Sequence, residues 1–127
     1  MRNKSPDGLL AGGSFMNFIT MAADLYSEAW FAKVKDALVR ARAKCADDPD
    51  SAARVDFLAK GLEDAYLTYL TRVAQKSGDE AAFMAAFNAM VEYRASVEAD
   101  NVCAWAWFAD VEDELAGWPH QTQPYVR

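Results

Sequence analysis

The sequence predicts an all-α fold, an antiparallel (up-down) bundle of four long helices with a short N-terminal helix. Alanine, which favours helices because it loses no side-chain entropy, supplies 25 of the 127 residues. Large apolar residues recur at helical spacing in several segments of the chain. The turns between the middle segments are only a few residues long, and turns of that length join antiparallel neighbours. A chain of this size forms one domain and hides roughly two thirds of its unfolded surface.

Composition divides the chain into three parts. Residues 1–14, "MRNKSPDGLLAGGS", are rich in turn-forming residues and predict a flexible lead-in. Residues 15–117 carry the helical periodicity and predict the bundle domain. Residues 118–127, "WPHQTQPYVR", have no periodicity and predict a C-terminal tail, which follows the helix stop at Gly117.

Capping residues locate the ends of the helices. Ser27 caps the second helix, and Asp48 precedes Pro49, which suits the first position of the third. Gly78 ends the third helix, and Asp79 caps the fourth. The helices are therefore expected at residues 15–25, 28–46, 50–76, 80–99 and 102–116. For the first of them, a strand over residues 15–19 is an alternative that the residues leave open.

A stripe of apolar residues marks the expected core face of each long helix. On the second helix the stripe comprises Trp30, Val34, Ala37, Leu38, Ala41 and Cys45. On the third it comprises Val55, Leu58, Ala59, Leu62, Ala65, Tyr66, Tyr69, Leu70 and Val73, with Asp56, Lys60, Glu63 and Asp64 on the solvent side. The last two stripes comprise Phe83, Ala86, Phe87, Met90 and Val97, then Val102, Trp105, Phe108, Ala109 and Leu115.

Three large apolar residues lie off these stripes. Phe57 and Leu67 fall on the outward face of the third helix, and Trp107 falls opposite Trp105 on the last. Single exposed apolar residues are ordinary, but three of them on two helices indicate a second surface that a partner covers. Phe57, Leu67 and Trp107 are therefore candidate interface residues.

Two charged residues lie within apolar stripes, Arg94 on the fourth helix and Glu112 on the last. A buried carboxylate must be paired or protonated, so we expect a structural ion pair between Arg94 and Glu112. Their distances from the intervening turn are unequal, which leaves Arg54 or Arg72 as alternative partners of Glu112.

No combination of residues points to catalysis or to a cofactor. His120 is the only histidine, which excludes nucleophile systems that need one held rigidly and di-iron sites that need two. Cys45 and Cys103 lie far apart in sequence without metal-ligand spacing. We expect reduced thiols, and a disulfide, which would need their Cα atoms within about 7 Å, is the alternative that the residues leave open. The net charge of −6 and the absence of a basic stripe argue against nucleic acid as a partner.

No targeting or membrane-spanning segment is predicted. The N-terminal apolar run is too short for a signal peptide, and no run approaches the roughly 20 apolar residues of a membrane span. We therefore expect a soluble chain without a signal peptide, and its compartment stays unknown.

Two runs of residues resemble a known family. The runs are "LYSEAWFAKVKDALVRARAKCADDPDSAARVDFLAKGLEDAYLTYL" and "MVEYRASVEADNVCAWAWFADVEDE". Together they cover most of residues 25–114 and resemble the helical C-terminal domain of large bacterial glycoside-hydrolase-like proteins, a family that includes enzymes acting on complex N-glycans. The segment "ARVDFLAKGLE" at residues 53–63 carries much of the likeness. In that family the catalytic acids belong to a preceding barrel, so the resemblance implies no catalytic residue in this chain.

The leading hypothesis is therefore a non-catalytic accessory domain of a carbohydrate-active protein. The resemblance implies a parent catalytic domain as the partner of the second surface, a secreted or periplasmic parent protein, and carbohydrate as a further candidate ligand. One alternative is a standalone interaction module that forms a homodimer. Another is a small-molecule binder whose pocket is lined by Tyr66, Tyr69 and Trp105.

Overall fold

A computed structural model describes residues 21–100 and 116–119 of the 127-residue chain, and all the regular secondary structure among them is helical. Helix α1 spans Glu28–Lys44, α2 spans Pro49–Ser77 and α3 spans Glu80–Val97, followed by a 3-10 turn at Glu98–Asp100. Residues 21–25, before α1, are also helical. The all-α prediction is confirmed for this part of the chain, and the expected helix over residues 102–116 lies outside it except for Ala116.

The predicted caps are confirmed at three helix starts. Ser27 accepts a hydrogen bond from the Trp30 amide at 3.2 Å. Asp48, which directly precedes Pro49, accepts one from the Ser51 amide. Asp79 does the same for α3. Each side-chain oxygen satisfies an amide that the first helical turn leaves without a partner. Gly78 closes α2 at φ +78°, a backbone conformation that glycine adopts without steric penalty.

The densest packing joins α2, α3 and the segment at 116–118. Its buried cluster comprises Phe83, Phe87, Met90, Ala116 and Trp118, with Leu67, Ala74, Met84 and Val91 packed against it. The predicted core face of α3 is confirmed, because Phe83, Phe87, Met90 and Val97 are all buried. Met90 is fully buried, and the hydroxyl oxygens of Thr68 and Thr71 lie 3.7 and 3.9 Å from its sulfur.

Trp118, the first residue of the predicted C-terminal tail, is docked in the core. Its side chain is 4% exposed within the core cluster. Its Nε1 donates to Gln75 Oε1 at 2.9 Å, and Gln75 Nε2 donates to the Ala116 carbonyl at 2.8 Å. The side-chain amide of Gln75 therefore holds residues 116–118 against α2, because it bonds both the Trp118 side chain and the Ala116 backbone.

The predicted core face of α2 is correct only in part. Tyr69 is buried, but Leu58 is 58% exposed and Val73 is 40% exposed. Instead, Thr68 and Thr71 are fully buried against α3. Each threonine hydroxyl donates to the backbone carbonyl four residues earlier, which satisfies it without water. The face of α2 that meets α3 therefore contains polar residues that hydrophobic periodicity does not mark.

Candidate interaction surface

Within residues 21–100 and 116–119, few contacts attach helix α1 to the rest of the domain. Phe31 is its only buried side chain, and its ring lies 5.1 Å from the rings of both Tyr66 and Tyr69. Near its start, Glu28 accepts a hydrogen bond from the Tyr66 hydroxyl at 2.6 Å. Near its end, Arg42 pairs with Asp56 of α2 at 2.9 Å. Much of the remaining surface of α1 is exposed to solvent.

The apolar stripe predicted for α1 is consequently not a core face. Trp30 is 42% exposed and Ala37 is exposed, whereas Val34, Leu38 and Ala41 are partly buried. Phe31, which borders that stripe beside Leu38 and was not assigned to it, is the residue that packs into α2. Only part of the stripe, at Trp30 and Ala37, is therefore open to solvent in the described part of the domain.

Two grooves flank the line along which α1 meets α2, and Leu38 and Leu62 line both. The charged groove has a volume of about 300 Å³. Its lining comprises Lys35, Leu38, Val39, Arg42, Val55, Asp56, Ala59, Leu62 and Glu63. The apolar groove has a volume of about 340 Å³. Its lining has no charged residue and comprises Val34, Leu38, Phe57, Leu58, Gly61 and Leu62.

Large apolar side chains in these grooves are open to solvent. Val39 is 61% exposed in the charged groove, and Phe57 and Leu58 are 47% and 58% exposed in the apolar groove. Contiguous exposed apolar side chains mark interaction surfaces more often than isolated ones do. The α1–α2 hairpin is therefore the candidate interaction surface of this chain.

The three candidate interface residues have different positions. Phe57 is exposed and lines the apolar groove, while its contact with a partner stays a prediction. Leu67 was expected on the same outward face, but it packs against the core cluster of α3. That expectation is wrong because the side of α2 bearing Leu67 is the side that α3 covers. Trp107 lies outside the described residues.

The cavity beside Tyr66 contains only one of the three residues expected to line a ligand pocket. A cavity of about 170 Å³ lies between α1 and α2, lined by Glu28, Phe31, Ala32, Lys35, Leu62, Glu63 and Tyr66. Ligand pockets usually measure about 300–1,000 Å³. Tyr69 is not part of the lining, since it is buried and stacks against Tyr66 at 6.2 Å between ring centroids. Trp105 lies outside the described residues.

Glu28 controls the ionisation of Tyr66 in this cavity. The hydrogen bond from the phenol to the Glu28 carboxylate stabilises the protonated form, and it is the main reason that the pKa of Tyr66 is raised to about 12. Burial and the charges of Glu28 and Glu63 act in the same direction. Tyr66 is therefore a neutral hydrogen-bond donor at physiological pH, and its bond to Glu28 joins α2 to α1.

Arg94 is the buried charge that the sequence analysis identified. It is 1% exposed, and its Nε donates to Asp64 Oδ1 at 2.7 Å, while Nη2 donates to Thr68 Oγ1 at 3.1 Å. Asp64 was expected on the solvent side of α2, and this expectation is wrong because α3 packs over it. Glu112 lies outside the described residues, so its pairing with Arg94 stays a prediction.

The remaining candidate features are the cysteines, the histidine, metal ligands and membrane-spanning helices. Cys45 is a free thiol, as expected, while Cys103 and His120 lie outside the described residues. Within the described ranges no three His, Cys, Asp or Glu side chains come together in a way that could hold a metal ion. In the same ranges, none of the helices combines the length and the apolar character needed to span a membrane.

Comparison of the chain with protein-family models, with curated proteins and with solved structures finds no match. The likeness to glycoside-hydrolase-associated domains therefore has no support beyond the runs of residues that suggested it. The α1–α2 hairpin, with its two grooves, is the feature on which a functional argument can be built.

Proposed function

We propose that this chain is a non-catalytic helical interaction domain that pairs with a second copy of itself through the α1–α2 hairpin. The observation that carries the proposal is the exposure of the hairpin. Helix α1 buries only Phe31, while Val39, Phe57 and Leu58 stand open to solvent in the grooves beside it. A second hairpin packed against the first would cover such side chains in a four-helix arrangement.

The size of the exposed side chains supports association. Each buried leucine, valine or phenylalanine stabilises a structure by about 1.5–3 kcal/mol relative to its exposed state. A symmetric contact buries each of them twice, once in each copy. A few such residues at the centre of an interface commonly supply most of its binding energy.

We also propose that the helices form the antiparallel bundle expected from the sequence. Glu28, at the start of α1, contacts Tyr66, whereas Arg42, near its end, contacts Asp56, earlier in α2. In the same way, contacts of α2 with later parts of the chain run from Asp64 with Arg94 to Lys60 with Asp100. Partner positions that move in opposite directions along the chain support antiparallel packing.

The other hypotheses have less support. The accessory-domain hypothesis, with a parent catalytic domain or carbohydrate as partner, rests on the resemblance alone. The small-molecule hypothesis concerns a pocket lined by Tyr66, Tyr69 and Trp105, whereas the cavity of about 170 Å³ beside Tyr66 is not lined by Tyr69. Self-association needs only the surface that the hairpin already exposes.

Sedimentation of the purified chain over a range of concentrations tests the proposal. We expect a species of twice the 14.1 kDa chain mass that dissociates on dilution. At least one of Val39→Asp and Leu58→Asp should give a monomer, because each places a charge in one of the grooves. Val73→Asp is the matched control, since Val73 is an exposed valine that lines neither groove. A wild-type chain that stays monomeric at all concentrations would refute the proposal.

A further inference from the structure

The walls of the charged groove carry opposite charges at matching spacing. Lys35 and Arg42 stand seven residues apart on α1, and Asp56 and Glu63 stand seven residues apart on α2. Seven residues are two helical turns, or about 10.5 Å. Between the walls lies an apolar floor that includes Leu38 and Leu62. The groove is therefore basic along one side, acidic along the other and apolar in the middle.

Each basic residue on one wall lies at the same position along the groove as an acidic residue on the other wall. Lys35 and Glu63 stand at the end nearer Tyr66, since both also line the cavity beside it. Arg42 and Asp56 stand at the other end, where they form an ion pair at 2.9 Å. Among the described residues, neither Lys35 nor Glu63 makes an ion pair with another side chain.

We infer that the charged groove is the face that meets the second copy, with α1 of one chain lying over α2 of the other; this inference rests on the proposed function. We place the two-fold axis parallel to the groove. Each residue of the second copy then has the same position along the groove as in the first copy, but it lies over the opposite wall. Lys35 then faces Glu63 of the second copy, and Arg42 faces Asp56 of the second copy. The two chains exchange these contacts reciprocally, as a symmetric interface requires.

Charge complementarity selects a second copy over other occupants of this groove. A helix with charges of one sign would match one wall and be repelled by the other. A second hairpin brings a basic wall and an acidic wall with the same seven-residue spacing, so it satisfies both sides at once. Charged residues that flank an apolar seam set partner choice and orientation in coiled coils in the same way.

The apolar floor and the charged walls have different roles in this pairing. Burial of Leu38, Val39 and Leu62 drives association, because the hydrophobic effect scales with the apolar area removed from water. The ion pairs at the edge are partly hydrated and contribute more to orientation and specificity than to affinity. The apolar groove has no charged lining that could fix a register in this way.

Charge reversal and charge exchange in the full chain test the inference. Lys35→Glu places two carboxylates opposite each other twice in the dimer, and we expect it to raise the dimer Kd by about tenfold or more. Glu63→Lys should have a similar effect. The double variant Lys35→Glu/Glu63→Lys should restore the wild-type Kd to within about threefold, because the walls have exchanged signs.

Lys33→Glu is the matched control, since Lys33 lies on the same helix and lines neither groove. Circular dichroism of each variant checks that it folds. Should a reversal unfold the chain, Lys35→Gln and Glu63→Gln remove the charges without introducing repulsion, and each should still weaken the dimer by severalfold.

The outcomes separate this inference from the proposed function. Restoration in the double variant, together with dissociation by Val39→Asp, supports the charged groove as the interface. A dimer that tolerates the single reversals, or that only Leu58→Asp dissociates, overturns the charged groove and leaves self-association intact. A monomeric wild-type chain overturns both.

Discussion

Replacement of Asp64 by alanine tests how strongly the buried ion pair stabilises the packing of α2 on α3. The guanidinium of Arg94 is 1% exposed and Asp64 is 18% exposed, so little water can replace the lost carboxylate. Removal of one partner from a buried pair costs about 3–5 kcal/mol. Because Arg94 Nη2 keeps its hydrogen bond to Thr68, we expect the lower end of that range, about 3 kcal/mol.

Urea unfolding followed by far-ultraviolet circular dichroism measures the effect at fixed protein concentration. Asp36→Ala is the matched control, because Asp36 also pairs with an arginine, Arg40, but both side chains are more than 60% exposed. Exposed pairs contribute little, and we expect the control to lose less than about 0.5 kcal/mol. A loss below about 1 kcal/mol for Asp64→Ala, or equal losses in both variants, would show that the buried pair does not stabilise the domain.

Three further predictions concern other parts of the chain. Gly61→Ala should stabilise by about 0.5–1 kcal/mol in urea unfolding, because a Cβ there meets no atom within 4 Å and alanine favours a helix interior; destabilisation would contradict this. Trp118→Ala should cost about 3–5 kcal/mol, since the indole is 4% exposed and bonded to Gln75, and a change under 1 kcal/mol would argue against its docking. Hydrogen bonding to Glu28 raises the pKa of Tyr66 from 10.0 to about 12. The contribution of Tyr66 to the free energy of unfolding is therefore fully present below pH 10, and it is lost as the pH rises from 10 to about 12. Over that range wild type should lose stability more steeply than Tyr66→Phe, and equal slopes in pH-dependent urea unfolding would refute the shift.

The helix ends could be predicted because their signals are local. Ser27, Asp48 and Asp79 each accept a hydrogen bond from an amide three residues later, so the relevant partner is already present in the sequence next to them. Gly78 likewise ends α2 through its own backbone conformation. None of these assignments depends on which helices pack together.

The pairing of Arg94 with Asp64 required information that hydrophobic periodicity does not contain. The burial of Arg94 followed from its place in an apolar stripe, but Asp64 lies 30 residues earlier, among the charged residues of α2. One signal was available, since Asp64 precedes Gly78 by 14 residues and Arg94 follows it by 16. In two helices joined by a short turn, residues at similar distances from that turn stand opposite each other. Applied to the acidic residues of α2, this rule selects Glu63 and Asp64, which precede Gly78 by 15 and 14 residues, and it does not choose between them.

The errors on α1 and α2 have a different origin. Periodicity shows which residues share a face of a helix, but it does not show which neighbour covers that face. Trp30 and Leu58 were assigned to the core on their spacing, and both are exposed. Leu67 was assigned to the surface on the same basis, although α3 packs over it. In each case the side chain is buried or exposed according to whether its face of the helix points toward a neighbouring helix.

The difference between an apolar face and a covered face also supports the α1–α2 hairpin as the candidate interaction surface. Helix α1 carries five basic and two acidic side chains, a net charge of +3 in a chain whose net charge is −6. A helix that served only to cover α2 would require an apolar seam toward α2 and polar residues elsewhere. Instead α1 has Phe31 in the seam, exposed Trp30 and Val39 outside it, and basic residues beside the acidic wall of α2. A second hairpin on the charged groove would account for the opposed charges and for the exposed side chain of Val39 between them.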